Sequence, residues 1–170
     1  MFLILRPLRL FIQAFITEST PRQMAFGLAM GVFAGLVPKG NLLAILLGTV
    51  LAATRINLAI ATFAVVLCSL CATLFDSFFD RIGSFVLGQP SLQGLFTEMI
   101  NTPFVPWTDF NNSIVMGSFV TGLMLIFPTY RLSRPLFEKY SDKLSQRLRQ
   151  WRYAKLLLGA EWANRIAAVE

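Results

Sequence analysis

Between Met24 and Phe75 the only charged residues are Lys39 and Arg55. A soluble domain of 170 residues has too high a ratio of surface to volume to hide an apolar stretch of that length. Lipid removes the difficulty, because it replaces water as the solvent around the apolar side chains. The whole chain agrees: 55 % of its residues are hydrophobic and 14 % charged, against about 25 % charged in soluble domains. The sequence therefore reads as an all-α, polytopic integral membrane protein.

Residues 1–17 carry Arg6 and Arg9 inside an apolar run rather than before it, and no small-x-small cleavage site follows. This pattern reads as an interfacial amphipathic helix, distorted by Pro7, and not as a cleavable signal peptide. A membrane domain is expected over residues 18–128, with four apolar segments at about 21–37, 42–55, 58–75 and 113–128. The first has a helix-start signature: Thr20 as cap, Pro21 at the first helical position, and Gln23 to complete a capping box. Asn41 and Asn57 are capping residues for the second and third. Pro38 stops the first segment and Pro128 the fourth.

A crossing needs about 20 apolar residues to span a hydrocarbon core about 30 Å thick. The first two segments are short by that measure. They fit either a pair of tilted spans that thin the bilayer or a re-entrant hairpin that turns back within it. Charge gives the orientation. Arg6, Arg9 and Arg22 lie near the N-terminus, and the chain from Arg131 onward carries nine Lys/Arg against four Asp/Glu. Residues 76–112 carry Asp76, Asp80, Glu98 and Asp109 against Arg81 alone. The positive-inside rule then puts both termini in the cytoplasm and residues 76–112 in the periplasm of a bacterial inner membrane, with an even number of crossings. From Phe75 onward, Phe75, Phe78, Phe79, Ile82, Phe85 and Val86 recur at helical spacing up to Gly88-Gln89-Pro90, and a short apolar piece follows at 92–100. Trp107 is expected at headgroup depth. Residues 129–170 read as a cytoplasmic basic amphipathic helix, with Leu144, Leu148, Trp151, Leu158, Trp162 and Ile166 striped between Lys and Arg, suited to anionic lipid or to a partner helix.

The chemistry available is sparse. The chain has no histidine, which removes imidazole acid–base catalysis and His-ligated metals. Cys68 and Cys71 form a C-x-x-C pair inside an apolar helix and read as packing residues, since two thiols lack the further ligands of a zinc site. No nucleophile–base pair, phosphate loop or carboxylate dyad is present, so no enzyme, metal or cofactor is expected. The basic residues border apolar segments, which points to membrane lipid and away from nucleic acid.

Two motifs stand out. Gly27, Gly31 and Gly35 leave one face of the first segment without side chains. In lipid such a face lets helices pack closely, and it could also form a homo-oligomer seam or an acyl-chain slot. Pro38-Lys39-Gly40-Asn41 combines a helix break, a reversal, a basic residue and a cap. It aims the positive start of the second helix at the same place as the Lys39 ammonium. Arg55-Ile56-Asn57 repeats the arrangement one helix later. Lys39, Asn41, Arg55 and Asn57 are thus candidate lipid-headgroup residues, the simpler alternative being basic side chains that snorkel to the interface.

The run Thr20-Pro21-Arg22-Gln23-Met24-Ala25-Phe26-Gly27 with Gly31 and Gly35, then Pro38-Lys39-Gly40-Asn41-Leu42, then Arg55-Ile56-Asn57-Leu58, resembles a bacterial integral membrane family known as domain of unknown function 2062. The likeness covers residues 18–75, in the form of a short, stand-alone branch. Many members of that family carry Asn-Pro after the third apolar segment, where this chain has Ser69-Leu70-Cys71. The family has no established activity. Some members resemble domains attached to glycosyltransferases, and the short branch accompanies a large periplasmic protein of the lipid-bridging kind. The resemblance implies a non-enzymatic inner-membrane subunit that anchors or feeds a periplasmic lipid-transfer partner in envelope phospholipid transport. A small oligomeric transporter or channel is the alternative.

Overall fold

Three polar caps cut the apolar chain into short helices. A computed structural model describes residues 19–150. The interfacial helix expected at residues 1–17 and the amphipathic striping expected past residue 140 lie outside the described residues or side chains. Six α-helices follow in order: α1 Pro21–Leu36, α2 Leu42–Ala53, α3 Leu58–Ala72, α4 Asp76–Leu87, α5 Gln93–Asn101 and α6 Ser113–Gln150, with short 3-10 turns at Thr73–Phe75, Pro90–Leu92 and Val105–Thr108. No strand occurs among the described residues.

At the start of α1 the Thr20 hydroxyl accepts from the Gln23 backbone N–H and the Gln23 side chain accepts from the Thr20 N–H, the reciprocal capping box. Asn41 caps α2 by accepting from the Ala44 N–H at 2.9 Å, and Asn57 caps α3 by accepting from the Ile60 N–H at 2.9 Å. Between α1 and α2 the chain reverses at Gly40, whose φ of +102° suits a residue without a Cβ.

Helix α1 is the centre of the fold. It packs α3 on one side and α6 on another, while α2 makes a lighter contact. Its α3-facing side is the glycine row. A Cβ on Gly27 would stand 2.8 Å from the Asn57 carbonyl oxygen. On Gly31 it would stand 2.5 Å from the Ala61 carbonyl oxygen and 2.8 Å from the Ala64 Cβ, and on Gly35 2.6 Å from the Cys68 Cβ. The two backbones touch where side chains would ordinarily separate them. The paired residues ascend together, so α1 and α3 run parallel and α2 is the return between them.

On the other side of α1, Phe33 lies over Gly122 of α6 and its ring meets Phe119 at 5.4 Å. Phe26, earlier on α1, meets Tyr130, later on α6, edge-on at 6.3 Å, so these two helices run antiparallel. A second glycine contact joins α4 to α6, with Gly83 against the Ser113 backbone and Gly117 against that of Phe79. Any side chain at either glycine would overlap the facing carbonyl. Asp80 accepts a hydrogen bond from the Ser113 hydroxyl beside this crossing. Phe33, Ala34, Val37, Leu47, Leu51 and Ala61 form the buried apolar cluster.

Among the described residues two helices, not four, are long and apolar enough to cross a membrane: Leu58–Leu87, which joins α3 and α4 through the 3-10 turn, and Ser113–Tyr140 within α6. Only 22 % of the most apolar window of each is buried by protein. Of the two arrangements that the four apolar segments allowed, four full crossings are thereby corrected to two candidate spans. Helices α1 and α2 have 16 and 12 residues, about 24 and 18 Å at 1.5 Å per residue, because the break at Pro38 and the caps at both ends allow no more. The third segment does not stop at Phe75, since α4 continues it to Leu87. Nor does the fourth stop at Pro128, because α6 holds both Pro128 and Pro135 in its interior. Each proline removes one helical N–H, a local loss that the surrounding turns of a 38-residue helix carry through.

The α1–α3 contact generates the first expectation. Gly31→Ala should lower stability by about 1–3 kcal/mol, the usual cost of forcing a methyl group into a closed interface. Gly48→Ala on α2, where an added Cβ meets nothing within 4 Å, should be neutral or stabilising by up to about 1 kcal/mol through helix propensity. Unfolding midpoints of the purified proteins in a denaturing-detergent titration would show the difference; equal midpoints would mean that the backbones are not in contact.

Candidate functional site

The side chains singled out from the sequence separate into two groups at opposite ends of α1. At one end are the starts of α1 and α3. The Asn57 N–H donates to the Gln23 carbonyl at 3.2 Å, and the Asn57 side-chain amide donates to the Ser19 hydroxyl at 3.1 Å. Asn57 is buried and joins the two helix starts as well as capping one of them. Arg55, two residues earlier, is exposed. With Arg22 it borders a cleft of about 540 Å³ whose remaining wall includes Phe26, Ile126, Phe127 and Tyr130. Both arginines sit at helix starts, where the helix dipole disfavours a cation. Among the described residues neither forms an ion pair; the ion pair found there joins Arg134 to Glu138 at 2.8 Å.

At the other end is the α1–α2 reversal. The Lys39 ammonium turns back onto the end of α1 and donates to the carbonyls of Ala34 and Val37 at 2.6 Å each, with Gly35 at 3.4 Å. The Ser69 hydroxyl of α3 also donates to the Gly35 carbonyl, at 3.1 Å. The last carbonyls of a helix lack intrahelical partners and carry its negative pole. Lys39 supplies three donors and one positive charge there. Its hydrogen-bonding capacity is thus taken up by the protein's own carbonyls, and the Asn41 side-chain oxygen is taken up in capping α2. A cleft of about 460 Å³ opens beside them, bordered also by Asp76, Asp109 and Asn112.

Lys39, Asn41, Arg55 and Asn57 therefore do not form one headgroup site. The 12 residues of α2 hold the pairs about 18 Å apart along the helix. Within each pair the asparagine works as a structural cap. Gly27, Gly31 and Gly35 are covered by α3, which leaves that row no room for an acyl chain or for a second copy of the protein. Cys68 lies under Gly35 while Cys71 is exposed, and neither is in a disulfide. No group of three His, Cys, Asp or Glu side chains that could hold a metal occurs among the described residues.

The cleft at the helix starts has members that the sequence reading did not bring together. Arg22 counted toward orientation and the family motif but not as a site residue, and Tyr130 lies past Pro128, where the fourth segment was expected to end. Gly83, whose contact with Gly117 seats α4 on α6, also stood outside any motif. Gly117 and Gly122 of α6 meet α4 and α1 respectively, partners that no local pattern in the sequence specifies.

Comparison with known proteins places the chain. An uncharacterized protein of Treponema pallidum (strain Nichols) is 30 % identical over 124 residues, 73 % of this chain and 76 % of that protein. No solved structure matches. A family model described as "Uncharacterized protein conserved in bacteria (DUF2062)" matches residues 5–145, well beyond the region 18–75 in which the motifs lie. The chain belongs to this uncharacterized bacterial family, domain of unknown function 2062.

Proposed function

We propose that the protein is a non-enzymatic, two-span subunit of a bacterial inner membrane, with both termini in the cytoplasm and the segment between Leu87 and Ser113, which holds α5, facing the periplasm. The observation that carries this reading is the pair of long apolar helices that the protein itself barely covers. A core helix of a soluble protein is mostly buried, whereas Leu67, Leu70, Leu74, Leu123, Met124 and Phe127 are all exposed. Exposed apolar surface on that scale marks contact with lipid or with another protein. Helix α2 supports the same reading. It is apolar all round, yet only Leu47 and Leu51 are buried while Ile45, Leu46 and Val50 are exposed. Two spans return the chain to the side on which it began, and α1–α2 forms a hairpin too short to cross, held against the spans by the glycine row.

The charge distribution orients it. Arg22, Arg55, Arg131 and Arg134 gather toward the end of the fold where α1 and α3 start, while Asp76 and Asp109 border the cleft at the other end. Lys39 and Arg81 are the basic residues on the acidic side, and Lys39 is engaged as a helix cap. The basic end then faces the cytoplasm. On the opposite side the exposed pair Phe104 and Trp107, whose rings meet edge-on at 5.5 Å, suits headgroup depth. The family resemblance suggests that this periplasmic face anchors a large lipid-transfer protein and hands phospholipid to it. The sparse ionisable groups support a binding and anchoring role over catalysis.

Topology is measurable with single cysteines in a variant lacking Cys68 and Cys71. A cysteine at Gln89 should react with a membrane-impermeant maleimide in intact spheroplasts, and one at Gln150 only after lysis. Labelling of Gln150 from outside, or release of the protein from membranes by alkaline carbonate, would overturn the proposal. Purification from native membranes in mild detergent should bring down a periplasmic protein; recovery of this chain alone would remove the anchoring role.

The Lys39 cap yields a separate expectation. Lys39→Met should cost about 1–2 kcal/mol of stability, the range for charge-assisted hydrogen bonds at a helix end. It should leave the amount of co-purifying phospholipid unchanged, because the ammonium faces the protein. Loss of bound phospholipid with intact stability would instead assign Lys39 to a headgroup.

A further inference from the structure

Two exposed arginines at the starts of different helices are an odd arrangement for stability alone. Each lies where the helix dipole disfavours a cation, Arg22 within the first turn of α1 and Arg55 just before the cap of α3. The positive-inside rule asks only for basic residues somewhere on the cytoplasmic side. It does not ask for two of them on the rim of one cleft. Apart from Gln23, the rest of that cleft is apolar and aromatic: Phe26 and Tyr130 stand edge-on as one wall, and Ile126 and Phe127 continue it along α6. Phe127 is 72 % exposed and leads from the cleft onto the uncovered side of a candidate span. A cationic rim over an apolar wall that opens toward the proposed hydrocarbon region matches an amphiphile with an anionic head.

We infer that this cleft binds an anionic phospholipid from the cytoplasmic leaflet, with Arg22 and Arg55 on the phosphate and the acyl chains along Phe26, Ile126 and Phe127. Two guanidinium groups suit a phosphate well, because each offers paired N–H donors in a plane. The positive starts of α1 and α3 add to the same field, so the arrangement that is unfavourable for the empty helices becomes favourable when an anion is present. The volume of about 540 Å³ accommodates a headgroup with the first part of the chains and leaves the remainder in the bilayer. This assignment rests on the membrane reading above and moves the headgroup site from the Lys39 end of the fold to the opposite end.

The test is native mass spectrometry of the full chain in mild detergent, titrated with phosphatidylglycerol, with phosphatidylcholine, and with inorganic phosphate. Phosphatidylglycerol should bind and survive activation, phosphatidylcholine should bind much more weakly, and millimolar phosphate should not displace the lipid. Arg22→Gln or Arg55→Gln should each weaken phosphatidylglycerol binding about fivefold, and the double variant more than tenfold, as expected for removing basic side chains from an anionic lipid. Arg22→Lys with Arg55→Lys should keep most of the binding. Arg81→Gln, at the acidic end, should keep all of it. Unchanged elution volume and unfolding midpoint in the Gln variants would show that they fold, as their exposure implies. Equal retention of phosphatidylglycerol by wild type and the double Gln variant overturns the inference, as does equal binding of phosphatidylcholine. Full displacement by phosphate would overturn it in favour of a site for a soluble anion. A protein that stays in solution without detergent would refute the membrane reading itself, which separates the two failures.

Discussion

The structure depends on backbone meeting backbone along the glycine row of α1. Where α3 covers Gly27, Gly31 and Gly35, no side chain separates the helices. Close approach of this kind multiplies weak dispersion contacts over two full helix faces. It matters most where the surrounding solvent is itself apolar, since burying a leucine against another leucine gains little when lipid is the alternative. The same device recurs between Gly83 and Gly117, where α4 meets α6. These two seams fix the order of the helices, with α1 between α3 and α6 and α4 laid across the start of α6. Larger side chains such as Phe33 then fill the space that remains.

The hairpin of α1 and α2 shows how two short apolar helices can end at one reversal with their backbone groups satisfied. An open helix end leaves carbonyl and amide groups without partners, and each is costly away from water. In this protein Asn41 serves the amide end of α2 and Lys39 the carbonyl end of α1, with Ser69 of α3 adding a donor. A motif of four residues thus closes two helix ends at one reversal. The repetition at Arg55-Ile56-Asn57 is partial. Asn57 again caps, but Arg55 does not turn back onto the preceding helix, and its charge stays on the rim of a cleft. Similar spelling in the two motifs hides a difference in use, and it is Arg55 that remains available to an outside anion.

Separation of charge along the fold follows from the same connectivity. Because α1 and α3 run parallel, their starts share one end with Arg22 and Arg55, and their ends share the other with Asp76. The long α6 runs the opposite way, which brings Tyr130 and the arginines that follow it back toward the first end. A chain with this arrangement has one basic and one acidic pole before any membrane is considered, and a bilayer with an anionic inner leaflet would hold it in a single orientation.

Much of the local structure was legible in the sequence. The capping box at Thr20, the caps at Asn41 and Asn57, and the reversal at Gly40 depend on residues within four positions of one another, so the linear order contains the whole interaction. Helical spacing of Phe75, Phe78, Phe79 and Ile82 likewise showed α4. What the sequence left open was settled by partners distant in the chain. Prolines 128 and 135 look like helix stops, yet α6 runs through both, and near Pro128 its packing against α1 holds the helix together despite the lost hydrogen bond. Lys39 and Arg55 look equivalent, yet only Lys39 lies within reach of the carbonyls that close α1. Arg22 and Tyr130 gave no sign of belonging together, because nothing local links residues more than a hundred positions apart. The sequence by itself determined where helices begin, which faces lack side chains and how charge is shared between segments. The tertiary structure alone decided which glycine face meets which helix, and hence which basic residues serve as caps and which border an open cleft, because that choice rests on long-range backbone contact rather than on any short-range pattern.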